Sequence, residues 1–485
     1  MAIIDTYTVT SEGVNVVVNI GKSESGLNYS IKIPEVGKPT SVLLLELKKR
    51  LITEVTIGTS EILDPKVMIQ IKERFTGSCH KILDKLMPGL LTETKDFLTG
   101  TLMHDMLGLG QIEFLLEDVS LEEIVINSST EPVRVYHKKY GWLETNITVV
   151  SEAQILNYAN IIARRVGRQI TTLSPLLDAH LVTGDRSNAV LYPISHKGNT
   201  ITIRKFARDP WTVTDLIKNN TCTAKIFALL WLAIQYELNI LISGGTGSGK
   251  TSFLNVIMPF IPSNHRILSI EDTRELQLPK FLYWAPLTVR PPNPEGKGEV
   301  TMLDLLINSL RMRPDRIILG EIRKQEQAQV LFEAMHTGHS VYATVHADSI
   351  SETIRRLVNP PISVPQNLLT AVNLNVVMFR DRRKGIRRVY QIGEYVESEE
   401  GKTIRPNILY RWRPTDDTIV PHVASLRLYD DLSMHTGLSQ QELLDDLAKR
   451  EKILNWMVRK NIRKVDDVGE VIHRYYIDPD SIFKK

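Results

Sequence analysis

The residues best suited to chemistry stand in one run, Gly244-Gly245-Thr246-Gly247-Ser248-Gly249-Lys250-Thr251, followed by Ser252. The run fits GxxxxGK[ST]. Glycines there let the backbone curl until its N–H groups point at phosphate oxygens, and the positive end of a following helix adds to the attraction. Lys250 is placed to reach terminal phosphates, and the Thr251 hydroxyl to ligate Mg²⁺. The context matches, because Leu238–Ser243 reads as a buried strand ahead of the run and Thr251–Phe260 as a helix behind it. A chance glycine-rich turn would lack that order. The expected ligands are ATP and Mg²⁺.

Such a loop implies nucleotide binding only; hydrolysis also needs a group that orients the attacking water. Two acids close apolar runs downstream: Glu271 in Arg266-Ile-Leu-Ser-Ile-Glu271-Asp272, and Glu321 in Arg316-Ile-Ile-Leu-Gly320-Glu321. In open α/β sheets, ligands bind at the carboxyl ends of strands, so either acid can face the phosphates. Gly320 stands where many phosphate-loop enzymes carry a metal-holding Asp. Mg²⁺ would then rest on Thr251, phosphate oxygens and waters, with a carboxylate reaching it through a water. His336, His339 and His346 lie further on. Zinc ligation has no cysteine or HExxH to support it. His346, at the end of a strand read over 340–344, is better placed to sense the γ-phosphate.

The elements that must position these groups follow from periodicity. From about Trp211 to Val377 the chain alternates helix and strand in the rhythm of a parallel α/β sheet. The tail reads as mostly helical, with Ser439 and Glu442 forming a capping box. Upstream, residues 14–20 and 29–33 read as a hairpin turning through 21–26, and helices are expected near 40–51, 65–87 and 93–107. Strands are expected over 124–126, 133–136, 147–150, 188–192 and 200–204, with a helix over 152–165. Asp209-Pro210 reads as a linker, and 291–300 as a surface loop with mobility as the alternative. The fold class is α/β with three parts: an N-terminal hairpin-plus-helices extension (1–108), a smaller α+β domain (109–210) and a phosphate-loop motor domain (211–485).

Composition narrows the function. The 485 residues are 42% hydrophobic and 24% charged, ordinary for a globular chain, with a formal charge of only +3. No specific nucleic-acid partner is expected of so small a basic excess. The two cysteines, Cys79 and Cys222, allow neither a disulfide framework nor a four-cysteine zinc site. The N-terminus has no secretory signal pattern, and no apolar stretch approaches a bilayer span. Membrane contact is therefore expected only through a partner.

The phosphate loop at 244–251, an acidic box at 270–275, a glycine-bearing second box at 316–321 and Thr337-Gly-His…Thr-Val-His346 resemble, in order, the secretion ATPase superfamily. Upstream, Pro175-Leu-Leu-Asp178, Gly184-Asp185-Arg186 and Thr202-Ile-Arg204 look like that family's N-terminal domain. The tail from 438 to 479 looks most like archaeal members, and the missing four-cysteine module points the same way. The resemblance implies a RecA-like motor domain and a homo-hexamer powering a type II or type IV secretion machine, a type IV pilus or an archaellum. It implies a cytoplasmic protein at the inner face of the membrane, docked on an integral-membrane platform protein. It further implies Glu321 on the lytic water, Glu271 near the metal, His346 at the γ-phosphate, and arginines on phosphate, Arg204 first and then Arg186. Residues 1–108 match no motif, and their position suggests partner docking. Alternatives are a retraction, effector- or DNA-translocating motor of the same core, and a nucleotide-gated scaffold with little turnover.

Overall fold

The computed structural model describes residues 2–23, 26–34, 37–54, 65–181, 184–206, 210–292, 296–398, 403–479 and 482. The tip of the expected hairpin turn (24–25), Asp209 of the expected linker and 293–295 of the expected loop lie outside the described residues. The chain forms two compact units, Met1–Arg208 and Asp209–Lys485.

The first unit opens with β1 (Ala2–Ser11), β2 (Val14–Ser23) and β3 (Gly26–Lys32). Helices α1 (Lys38–Glu54), α2 (Pro65–Leu86), α3 (Thr92–Met106) and α4 (Ile112–Glu117) follow. Then come β4 (Leu121–Ile126), β5 (Arg134–His137), β6 (Gly141–Thr145), α5 (Glu152–Arg165), β7 (Leu176–His180), β8 (Arg186–Val190) and β9 (Thr200–Arg204). The strands join in the order β1-β2-β3-β6-β5-β4-β9-β8-β7. Pairs are antiparallel except β3 with β6.

That β3–β6 pairing carries the hairpin into the same sheet as residues 121–204, so no core boundary falls at 108. One apolar cluster runs from Val9 through Val18 and Tyr29 to Ile124, Ile162 and Ile203. Helices α1, α2 and α3 share a smaller cluster around Leu47, Phe75 and Leu98. Asp118 ties the parts together. It is buried, its Oδ2 accepts the hydroxyls of Tyr7 (2.7 Å) and Tyr29 (2.9 Å), and its Oδ1 accepts the Ser120 N–H (2.8 Å).

Two expectations need correction here. Strand β1 was not foreseen, because most of its side chains are exposed and leave no buried face to read. Glu12 and Gly13, both left-handed (φ 46° and 78°), turn it into β2. The strand expected over 147–150 is irregular, and the ladder partner of β5 is β6, at 141–145. Ile147 and Val149 are still buried. Asn146 accepts the Ile31 N–H on Oδ1 (2.8 Å) and donates from Nδ2 to the Ile31 carbonyl (2.9 Å).

The second unit contains α6 (Val213–Lys218), α7 (Ala224–Gln235), β10 (Ile240–Gly244), α8 (Lys250–Ile257), β11 (Ile267–Glu271), β12 (Trp284–Thr288), α9 (Met302–Ser309), β13 (Arg316–Leu319), α10 (Gln325–His336), β14 (Ser340–Val345) and α11 (Ile350–Val358). It continues with β15 (Leu374–Asp381), β16 (Ile386–Glu397), β17 (Ile404–Arg413), β18 (Thr418–Pro421), α12 (Leu428–Thr436), α13 (Gln440–Arg459) and α14 (Val465–Ile477). The sheet order is β12-β11-β13-β14-β10-β15-β16-β17-β18, parallel from β12 through β15 and antiparallel beyond.

Strands β10, β11, β13 and β14 are buried along their whole length. Successive side chains enter opposite layers, Ile240 and Ile242 one core and Leu241 the other. The tail expectation is corrected in part. Helices α12 to α14 are present, with the capping box at Ser439 and Glu442, but four strands occupy 374–421. Their signal is obscured by the basic turn at Arg382, Arg383 and Lys384 and by charges along β17. No described helix is long and apolar enough to cross a membrane.

Candidate functional site

The phosphate loop joins the C-terminal end of β10 to the N-terminus of α8. Two glycines make its curvature possible. Gly249 caps α8 at φ 94°, and at Gly244 (φ 150°) a Cβ would lie 2.5 Å from the Met378 carbonyl oxygen. Lys250 Nζ donates to the carbonyls of Gly244 (2.9 Å) and Gly245 (3.2 Å). Burial lowers its pKa, against the pull of the Glu321, Asp348 and Glu275 charges. Thr251 is half-buried and Ser252 exposed, both in the first turn of α8. The Ser248 hydroxyl is buried with no hydrogen-bond partner.

His346, just past β14, enters this loop. Its Nδ1 is 3.0 Å from the Gly244 carbonyl oxygen and its Nε2 is 2.8 Å from Thr246 Oγ1. The carbonyl can only accept, so its contact favours the tautomer with the proton on Nδ1, which leaves Nε2 to accept from the Thr246 hydroxyl. The ring is neutral in this arrangement. Burial depresses its pKa first, and the ammonium of Lys250, 3.3 Å from Nδ1, depresses it further.

Glu271 ends β11 and is 2% exposed. Its Oε1 accepts the N–H groups of Glu275 (2.9 Å) and Leu276 (3.1 Å), while Oε2 is buried without a partner. Burial pushes its pKa up to about 7, against those two hydrogen bonds. An orphaned buried acceptor at the end of one strand and an orphaned buried hydroxyl in the loop after another are what a site shaped for a polar ligand would leave. Glu321, beyond the end of β13, is half-buried. Arg323 Nε donates to its Oε2 at 2.9 Å, and Arg323 also pairs with Asp272. A Cβ at Gly320 would sit 3.7 Å from Glu271 Cγ. An acid at position 320 would thus crowd a second carboxylate against the first, which disfavours ionising both.

The structure therefore gathers the loop, Glu271, Glu321 and His346 at the carboxyl ends of β10, β11, β13 and β14. Arg204 and Arg186 belong to the first unit, as exposed cross-strand partners on β9 and β8. Arg186 forms a two-pronged ion pair with Asp178 (3.1 and 2.8 Å), and Arg204 stands opposite Glu123. His336 and His339 turn away, His336 Nε2 lying 3.2 Å from the Leu368 carbonyl and His339 Nδ1 3.3 Å from Thr337 Oγ1. Among the described residues no group of three or more His, Cys, Asp or Glu could hold a metal ion.

Three arginines at the site were not foreseen. Arg323 stands two residues past Glu321 and could have been read from that spacing. Arg380 and Arg387 lie on β15 and β16, whose hairpin carried no clear signal. Asp348 also reaches the loop, its Oδ1 2.8 Å from where a Cβ on Gly245 would be.

Residues 149–384 match the family described as Type II/IV secretion system protein. An uncharacterized protein of Methanocaldococcus jannaschii is 36% identical over 79% of this chain and 70% of its own length. The type IV secretion system protein PtlH of Bordetella pertussis is 30% identical over 57% of this chain and 86% of its own. Among solved structures, the VirB11 ATPase from the Brucella suis type IV secretion system is similar at 26% identity, covering 57% of this chain and 94% of that one, with a TM-score of 0.30.

Proposed function

The chain belongs to the secretion ATPase superfamily of type II and type IV secretion, and from that premise we propose that it hydrolyses ATP to drive a secretion, pilus or archaellum machine. The observation that carries the proposal is the meeting of the phosphate loop, two carboxylates and one neutral histidine at a single sheet edge. The loop N–H groups and Lys250 would hold the β- and γ-phosphates, releasing Lys250 from the Gly244 and Gly245 carbonyls. Thr251, with Glu271 through a water, would hold Mg²⁺, which when bound neutralises charge on the phosphate oxygens. Ser248 Oγ and Glu271 Oε2, both buried and unpartnered, fit such a ligand.

Glu321 orients the attacking water and takes up its proton as the γ-phosphorus–oxygen bond breaks, leaving ADP and phosphate. Arg323 holds Glu321 in place through its bond to Oε2. His346, at the end of the strand next to Glu321's, meets the γ-phosphate. Arg204 and then Arg186 are proposed to contact phosphate, within the chain or from a neighbouring copy. The working form is a homo-hexamer in the cytoplasm, at the inner face of the membrane through a platform protein. Residues 1–108 are proposed to serve docking.

The test is Mg²⁺-dependent turnover by the purified chain and by Glu321→Gln at several protein concentrations, with mass measured alongside. Turnover per chain that rises as hexamers form and collapses in the variant is expected. Turnover indifferent to Glu321→Gln would move the water-orienting role to Glu271. Nucleotide binding without turnover, with or without membranes, would favour a nucleotide-gated scaffold.

A further inference from the structure

A carboxylate that orients a water must be aimed as well as present. The backbone around Glu321 is fixed on both sides. The Gly320 N–H donates to the Ile270 carbonyl (2.9 Å), the Thr344 hydroxyl to the Gly320 carbonyl (2.6 Å), and the Ile322 N–H to the Thr344 carbonyl (2.9 Å). These bonds leave the side chain to be set, and Arg323 sets it. Arg323 Nε and Nη2 both lie on Glu321 Oε2, at 2.9 and 2.8 Å. Both contacts fall on one oxygen, which leaves Oε1 as the oxygen to face the water.

Burial does not hold Arg323, whose side chain is 56% exposed. Fixing so long a side chain costs rotamer entropy, and one exposed ion pair contributes little against that cost. The structure supplies a second anchor. Arg323 Nη1 donates to Asp272 Oδ2, so one guanidinium spans carboxylates from just beyond two neighbouring strands, β11 and β13. Asp272 stands on a pinned turn. Glu271 Oε1 accepts the N–H groups of Glu275 and Leu276, and the Glu271 carbonyl accepts the Val289 N–H (3.2 Å). A planar fork met at both ends has less room to swing than one met at a single end. We propose that Asp272 is a positioning residue for hydrolysis: it anchors Arg323, which in turn aims Glu321. This rests on the reading of Glu321 as the water-orienting group. The role needs no contact between Asp272 and metal or phosphate.

The experiment measures kcat, KM and the Mg²⁺ concentration for half-maximal turnover of the full chain. The variants are Asp272→Ala, Asp272→Asn, Arg323→Ala, the double variant Asp272→Ala with Arg323→Ala, and Glu321→Gln. Asp272→Ala is expected to lower kcat by about five- to tenfold, with KM and the Mg²⁺ requirement held within about twofold. Asp272→Asn keeps the shape and one acceptor oxygen. It should lose less, and it carries the test if the Ala variant fails to fold. In the Arg323→Ala background, Asp272→Ala should cause no further loss, because its effect passes through the guanidinium. A further loss there, or a Mg²⁺ requirement raised by about tenfold, would overturn the assignment and put Asp272 at the metal or phosphate. A kcat unchanged in both Asp272 variants while Glu321→Gln collapses would overturn it too. Turnover indifferent to Glu321→Gln would instead remove the reading of Glu321 itself, and the proposal with it.

Discussion

The two sheets handle polar groups in opposite ways. In the second unit, β10, β11, β13 and β14 are covered on both faces, so their side chains are apolar nearly throughout and polar chemistry is pushed to the strand ends. In the first unit, β8 and β9 alternate buried and exposed positions, and their charges spread along a face where they meet other charges. Near the carboxyl ends of these strands some buried polar atoms lack a protein partner. Ser248 Oγ and Glu271 Oε2 have none, which reads as room kept for a ligand. On an alternating face the same residue types satisfy each other, and geometry alone does not separate an ion pair from a phosphate contact.

The contrast can be broken most directly at Lys250. Lys250→Ala should weaken ATP binding by about a hundredfold or more while leaving the melting temperature nearly unchanged, since the residue serves a ligand. A large loss of stability would mean that the strand-end polar groups serve the fold. Glu321→Gln comes next, with kcat expected to fall about a hundredfold and nucleotide affinity preserved. Asp118 sharpens the other side. Asp118→Ala strands the buried hydroxyls of Tyr7 and Tyr29 and should cost about 2–4 kcal/mol of stability by denaturant titration. An unchanged midpoint would show that the first unit does not depend on its polar hub.

A smaller effect concerns pH. Burial pushes the Glu271 carboxyl up to about 7, against 4.5 for a free carboxyl. If its ionised form is needed, kcat/KM should rise with pH through about 7, and Glu271→Gln should remove that limb. The same shift has a stability sign. The folded chain keeps a proton that the unfolded chain releases between about 4.5 and 7, so this group's contribution to stability falls as pH rises across that window. Smallest of all, Arg186→Gln should leave the melting temperature within about a degree, because its ion pair is exposed. A drop in turnover with no change in melting would mark Arg186 as recruited to phosphate.

The contrast also explains what was legible in the sequence. Apolar runs ending in Gly244, Glu271 and His346 advertise both the strand and the residue at its end, so the sheet edge that gathers these residues could be read without coordinates. Helices α2, α3 and α5 were legible from helical spacing. Strand β1 was not, because an exposed strand has no burial pattern. The β15–β16 hairpin was not, because Arg382, Arg383 and Lys384 look like a solvated charge run until the pairing of Arg380 with Arg387 is known. Arg204 and Arg186 were found by resemblance, and their exposed, cross-paired setting explains why no physical signal singled them out.

The ring of His346, held between the Gly244 carbonyl and the Thr246 hydroxyl, is also a built-in spectroscopic label. Its proton sits on Nδ1 while those two contacts last. Any ligand that draws Thr246 or Lys250 away must change the bonding at one ring nitrogen and leave the other nearly as it was. Nitrogen NMR of a sample labelled in histidine would therefore resolve arrival, cleavage and departure of a nucleotide as separate shifts of a single ring, without any dye attached to the chain.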